Sequence, residues 1–110
     1  MTDKGLKYLY DIFMSISLIK EITKDVADFN AYESDRKTQS AVERQLAIIG
    51  EALNNFKKVE PTIEIQSAKQ IVAFRNRLVH AYDGIDNSIV WVILNQHLNP
   101  LKLEVIKLSE

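Results

Sequence analysis

The sequence contains no cysteine. That excludes a disulfide scaffold, a thiolate-held zinc ion and a cysteine nucleophile together, and it fits a reducing compartment. Glycine and proline are scarce, at three and two residues, too few to punctuate the many turns of an all-β fold. No apolar run approaches the roughly 18 residues that a membrane span needs. The opening stretch from Met1 to Phe13 mixes charge among its apolar side chains and forms no signal-peptide core. These absences set the expectation of a soluble, cytoplasmic chain with no membrane partner. Net charge is also small, −1 from 14 basic and 15 acidic residues. A grip on nucleic acid through bulk charge is therefore disfavoured, and an RNA substrate would need a local cationic cluster.

What is present is an ordinary globular composition, 46% hydrophobic and 26% charged over 110 residues, the size of one domain spanning residues 1–110. Long uninterrupted periodic stretches read as helices, and the fold class expected is all-α, an up-and-down bundle of four to five helices. The first helix is predicted from about Lys4 to Phe29, with Leu9, Phe13, Ile16, Ile19, Val26 and Phe29 near one face. Asp28 to Ser34 is polar and reads as a connection. The second helix starts at Asp35, an N-cap candidate, and runs to about Lys58. Its apolar positions Val42, Leu46, Ile49, Leu53 and Phe56 alternate steps of four and three, a heptad-like seam suited to antiparallel packing. Gly50 lies inside this helix at a cost of about 1 kcal/mol relative to alanine, which points to the close approach of another helix. Glu60-Pro61 closes the segment. A third helix is predicted from about Ile65 to Tyr82, carrying Ile71, Phe74, Leu78 and Val79, before an Asp83-Gly84 turn. A fourth runs from about Ser88 to Leu98, with Asp86, Asn87 or Ser88 as its cap. Asn99-Pro100 is expected to break it, and Pro100 to open a short final helix through Lys107.

The polar residues that ask for an explanation lie in Phe74-Arg75-Asn76-Arg77-Leu78-Val79-His80-Ala81-Tyr82. Arginine offers phosphate a fixed fork of donors, histidine moves protons near neutral pH, and tyrosine can donate a hydrogen bond or accept a modification. At about 100° per residue, Arg75 and Tyr82 fall on one face, whereas Arg75 and His80 diverge by roughly 140°. These two meet only across a cleft, near a frayed helix end, or where two copies of the helix face each other, so self-association through helix faces is an attractive hypothesis. On spacing alone a plainer reading stands beside it. Arg75 and Arg77 are then solvated helix residues, and His80 sits at a helix C-terminus because the dipole favours it there.

The stretch Arg75 to Tyr82 resembles the Arg-x4-His-x-Tyr motif of the HepT-like branch of the HEPN superfamily, with asparagine directly after the arginine. The likeness extends through Gln39-Ser40-Ala41-Val42-Glu43-Arg44 and Ile48-Ile49-Gly50-Glu51-Ala52 to Ile89-Val90-Trp91 and the Leu98–Leu101 segment. The chain departs from the family pattern at Ala73, Ala81 and Asn99. The resemblance implies a metal-independent, dimeric ribonuclease toxin without a cofactor, its motif residues lining a cleft between subunits, acting on RNA, tRNA among the candidates. It implies His80 as the base at the RNA 2′-hydroxyl, Arg75 on the developing phosphorane charge, Asn76 positioning His80 or the phosphate, and Tyr82 or a second His80 at the leaving oxygen. It also implies a nucleotidyltransferase antitoxin that neutralises the toxin by adding AMP to Tyr82.

The other candidates carry plainer readings. Glu51 could face the cleft, but helical glutamates are usually solvated. Arg44 and Lys37 either extend a basic surface or belong to a charged exterior. His97 reads as a surface or packing histidine, and Trp91 as a core or interface anchor. Tyr8, Tyr10 and Tyr32 show no spacing that supports base stacking. Two further functions compete with the nuclease: a catalytically silent HEPN module that binds a nucleotide or its partner, and a helical dimer with no chemistry.

Overall fold

A computed structural model describes residues 1–80 and 84–110. Among them there is no strand, and the bundle is built from α1 (Asp3–Thr23), α2 (Phe29–Glu33), α3 (Arg36–Val59), α4 (Lys69–His80), α5 (Asn87–Val92) and α6 (Leu98–Ser109). A 3₁₀ turn, Gln66–Ala68, leads into α4, and a π turn, Ile93–His97, joins α5 to α6.

Local chemistry sets most helix starts. A helix leaves its first backbone N–H groups without partners, and a short polar side chain just before it accepts from them. Gly5 N donates to Thr2 Oγ1 at 3.0 Å, Ala31 N to Asp28 Oδ1 at 2.9 Å, Thr38 N to Asp35 Oδ1 at 3.1 Å and Ser88 N to Asp86 Oδ1 at 2.9 Å. Asp35 and Asp86 thus cap the helices for which the sequence offered them. The 3₁₀ turn before α4 has no cap of its own. Glu104 of α6 supplies one from a distance, accepting from Gln66 N at 2.7 Å and Ser67 N at 3.0 Å.

Packing follows the apolar periodicity. Val42, Leu46, Ile49, Leu53 and Phe56 of α3 are all buried, joined in one core by Leu9, Ile12, Ile16 and Ile19 of α1, Ile71 and Phe74 of α4, and Leu98, Leu101 and Val105 of α6. Each such side chain contributes about 1.5–3 kcal/mol by leaving water. The helices run up and down. The start of α1 reaches the end of α3, where Thr2 N donates to Glu60 Oε1 at 2.7 Å. Lys20 near the end of α1 bonds Asn99 at the start of α6.

Four boundaries differ from expectation. The first helix stops at Thr23 rather than near Phe29, because Asp28 turns extended (φ −157°) and caps a new helix. The expected connection 28–34 therefore contains α2, which buries Tyr32 and stacks it against Trp91 with ring centroids 5.7 Å apart. The third helix begins with its 3₁₀ turn, one residue after the predicted Ile65. Pro100 does not interrupt the helical backbone or open the last helix, which starts two residues earlier, at Leu98, directly after the π turn. Pro100 lacks an N–H, and its ring excludes an α-positioned carbonyl four residues back, on Gln96. The helix widens there instead, and Leu98 N donates to Ile93 O, five residues back. Gly84 takes a φ of 100°, which glycine adopts without strain. The expectations for Ala81, Tyr82, Asp83 and the packing of Val79 lie outside the described residues.

Candidate nucleic-acid cleavage site

Arg75 lies where α4 crosses α3, and Gly50 is the reason it fits. A Cβ added at Gly50 would stand 2.4 Å from Arg75 Cβ and 2.8 Å from its Cγ, distances that two carbons cannot share. The helix-interior glycine thus forms a shelf for the root of this arginine, which fulfils the close approach expected there. The guanidinium continues along α3. Its Nη2 pairs with the Glu51 carboxylate, and its Nη1 donates to Asn76 Oδ1 at 3.3 Å. With 28% of its side chain exposed against 53% for Glu51, Arg75 is half-buried yet open to a ligand on one side. Arg75, Asn76 and Glu51 therefore form one connected group.

Arg75 and Glu51 edge a cleft of about 640 Å³ between α1 and α3, lined by Lys7, Tyr8, Asp11, Arg44, Ile48 and Asn55 among others, whereas Asn76 lines a separate cleft with Asn54, Lys57 and Lys69. Three cationic side chains, Lys7, Arg44 and Arg75, face two carboxylates there. Lys7 is tied to Asp11 at 2.8 Å, and that hydrogen bond raises the lysine above its ordinary pKa. Arg44 lines this cleft, whereas Lys37 is exposed near the start of α3 and is not among the cleft's lining residues.

His80 is elsewhere. It is exposed at the C-terminal end of α4, where the helix dipole favours a cation. It lines a smaller cleft of about 300 Å³ with Phe74, Arg77, Gly84, Ile85, Asp86 and Ile89. The Asp86 carboxyl is held below its usual range by hydrogen bonds from Ser88, with Arg77 contributing charge. Within one chain, then, Arg75 and Asn76 are brought together and His80 opens on a different cleft, the divergence that helical geometry required. Tyr82 lies outside the described residues. Among the described residues no three histidine, aspartate or glutamate side chains gather as metal ligands do.

Two residues matter more here than the sequence suggested. Glu51 holds Arg75, and its position directly after Gly50 was the available signal. Arg77 shares the His80 cleft, and its place three residues before His80, on the same helix face, was the signal for that. Trp91 is an anchor at the edge of the core, half-buried against Tyr32 and with its ring centroid 6.1 Å from Phe29. No described helix is long and apolar enough to cross a membrane.

Residues 12–108 match the ribonuclease HepT-like family. The chain is 38% identical over 107 residues to a protein of Thermococcus cleftensis named "Probable ribonuclease HepT", covering 94% of each chain. It is 37% identical over 110 residues to a protein of Methanocaldococcus jannaschii named "Putative RNase", covering 96% of this chain and 97% of that one. A second protein so named from the same organism is 36% identical over 108 residues, with 91% and 85% covered. No solved structure matches the chain. With nearly its whole described length matched and the motif arginine seated on its glycine shelf, the chain belongs to the HepT-like ribonuclease family.

Proposed function

We propose that residues 1–110 act as one HEPN-like domain that cleaves RNA, tRNA among its candidate substrates, as the toxin of a toxin–antitoxin pair. The reading is carried by one observation: an interior glycine, Gly50, is shaped to the root of Arg75, whose guanidinium is then aimed by Glu51 and Asn76. A helix gives up roughly 1 kcal/mol for such a glycine, which is a large concession for an arginine that only meets solvent.

The chemistry needs Arg75 and His80 at one phosphate, and one chain holds them in separate clefts. A second copy related by a two-fold axis supplies the missing half, so the active form in this reading is a homodimer. An uncovered apolar stripe on α1, Leu6, Tyr10, Met14 and Leu18, with Ile48 on α3 beside the Arg75 cleft, gives such a dimer apolar surface to cover. His80 takes the proton from the ribose 2′-hydroxyl, and that oxygen attacks the adjacent phosphorus. Arg75 stabilises the charge that grows on the phosphorane oxygens, and Asn76 positions His80 or the phosphate. The 5′-oxygen leaves with a proton from His80 of the partner subunit or from Tyr82. The products are a 2′,3′-cyclic phosphate and a 5′-hydroxyl, and no step calls on a metal or a cofactor.

Tyr82 has a second role in this reading. A nucleotidyltransferase antitoxin adds AMP to its hydroxyl, which places negative charge and bulk where substrate phosphate would approach and shuts off cleavage. The test of the shared site is complementation. Arg75→Ala and His80→Ala proteins, each inactive alone, are unfolded together and refolded as a mixture. Mixed dimers carry one site with Arg75 from one subunit and His80 from the other, so partial cleavage should return where Tyr82 supplies the proton to the leaving oxygen. A dimeric mixture that stays inactive would contradict the shared site in that form.

A further inference from the structure

We propose that the groove between α4 and α5 seats one nucleobase of the RNA, next to the nucleotide whose phosphate reaches His80. The proposal rests on the RNA-cleaving reading and adds to it the place where the substrate's base is held.

The groove has a volume of about 350 Å³, near the lower end of ordinary ligand sites, roughly 300–1,000 Å³, room for one base and not for a run of them. Its floor is apolar, made by Phe74 and Ile93, both nearly fully buried, with Ile89 and Val92 on one wall. Arg77 stands at its edge and is shared with the His80 cleft, as are Phe74 and Ile89. The two clefts therefore adjoin along Phe74, Arg77 and Ile89, and a polynucleotide with its phosphate at His80 has a neighbouring base within reach of the groove. Single-stranded RNA is recognised in this way, with unstacked bases laid on apolar and guanidinium planes and their edges read by side chains. Arg77 supplies a planar cation that stacks on a base and neutralises phosphate at the same time. Gln70 and His97 lie at the rim with groups that donate and accept, whereas the Ser88 hydroxyl is already committed to Asp86 at 2.5 Å.

Ser88, Ile89, Val92 and Ile93 follow the four-residue spacing of one helix face, which next reaches Gln96 and His97. Gln96 is exposed, and His97, on the π turn, is half-buried and lines the groove.

A fluorescent 2′-O-methyl RNA oligonucleotide, which lacks the attacking hydroxyl, is titrated into the whole protein and followed by anisotropy. Val92 is 42% exposed, so Val92→Trp fills the groove from a position that does not hold the core. It should weaken binding about fivefold, the low end of what one stacked base contributes, with an unchanged circular dichroism spectrum. Arg77→Ala should lose at least as much. A single abasic nucleotide scanned along the oligonucleotide should cost the wild type the same factor at one position, and cost Val92→Trp nothing more there. Equal binding by wild type and Val92→Trp overturns the groove, as does a flat abasic scan. Absence of any RNA binding by the wild type overturns the groove and the ribonuclease reading together. Groove-dependent binding without cleavage of unmodified RNA overturns catalysis alone and supports the groove.

Discussion

Replacing Gly50 by alanine sets two effects of opposite sign against each other. In the helix interior the substitution should stabilise by about 1 kcal/mol, because alanine restricts the unfolded chain more than glycine does. The new methyl, however, would stand 2.4 Å from Arg75 Cβ and 3.5 Å from the Ile71 carbonyl oxygen. Arg75 Cβ is fixed to the α4 backbone and has no rotamer by which to escape, so α4 itself must retreat by about an ångström to restore ordinary contact. Overpacking of this kind costs about 1–3 kcal/mol, which leaves a net destabilisation of up to about 2 kcal/mol. Thermal unfolding should therefore fall by several degrees rather than rise. Cleavage should suffer more than stability, because an ångström of misplacement at a catalytic group costs on the order of a hundredfold in rate. The assay is cleavage of RNA at a temperature well below the measured unfolding transition. A Gly50→Ala protein that is more stable than wild type and cleaves at the wild-type rate would refute the shelf argument.

Glu51→Gln keeps the hydrogen bond to Arg75 but removes its charge, and Glu51→Ala removes both; cleavage should decline in that order, measured as kcat/KM. An Ala variant as active as wild type would mean that Arg75 needs no positioning. The Tyr32 hydroxyl is fully buried and has no hydrogen-bond partner among the described residues, and burial followed by the nearby Glu43 charge pushes its pKa well up. Tyr32→Phe should accordingly stabilise by about 1 kcal/mol in chemical denaturation, and a loss of stability would reveal a partner for that hydroxyl. Acid should unfold the protein through its caps. Asp35 and Asp86 are held below their usual value by hydrogen bonds from Thr38 and Ser88, and Glu60 by one from Thr2. Their stabilisation is complete above the ordinary carboxylate range and is lost as pH falls through the lowered values, below about pH 4. Glu43, raised by burial, acts in the opposite sense, its share being lost as pH rises through the raised value. Unfolding temperature against pH should therefore steepen on the acid side, and Asp35→Ala should flatten that limb.

The fold was legible where one physical signal dominated. The seam from Val42 to Phe56 is buried throughout, and Asp35 and Asp86 cap as short polar residues before apolar runs should. Periodicity could not reveal α2, since five residues are too few to show a helical repeat, and its stability comes from burying Tyr32 against Trp91. Pro100 was readable as a breaker, but whether a proline ends a helix or widens it depends on what the flanking turns bury. Here Ile93, Leu98 and Leu101 are all in the core, and that packing carries the helix through. In the site, Gly50 signalled a close approach and the angle between Arg75 and His80 signalled their separation. The identity of Gly50's neighbour, the hold of Glu51 on Arg75 and the sharing of Arg77 between two clefts are tertiary facts, fixed by which helix crosses which.

The central claim is that His80 drives RNA cleavage, and it is tested most directly by incubating total RNA and tRNA with the purified protein in EDTA, beside His80→Ala. The account predicts that wild type cuts, leaves 2′,3′-cyclic phosphate ends, and that the folded variant does neither. Cleavage by His80→Ala at the wild-type rate, or a folded, dimeric wild type whose Tyr82 is shown by mass spectrometry to be unmodified and which leaves RNA intact, would contradict it.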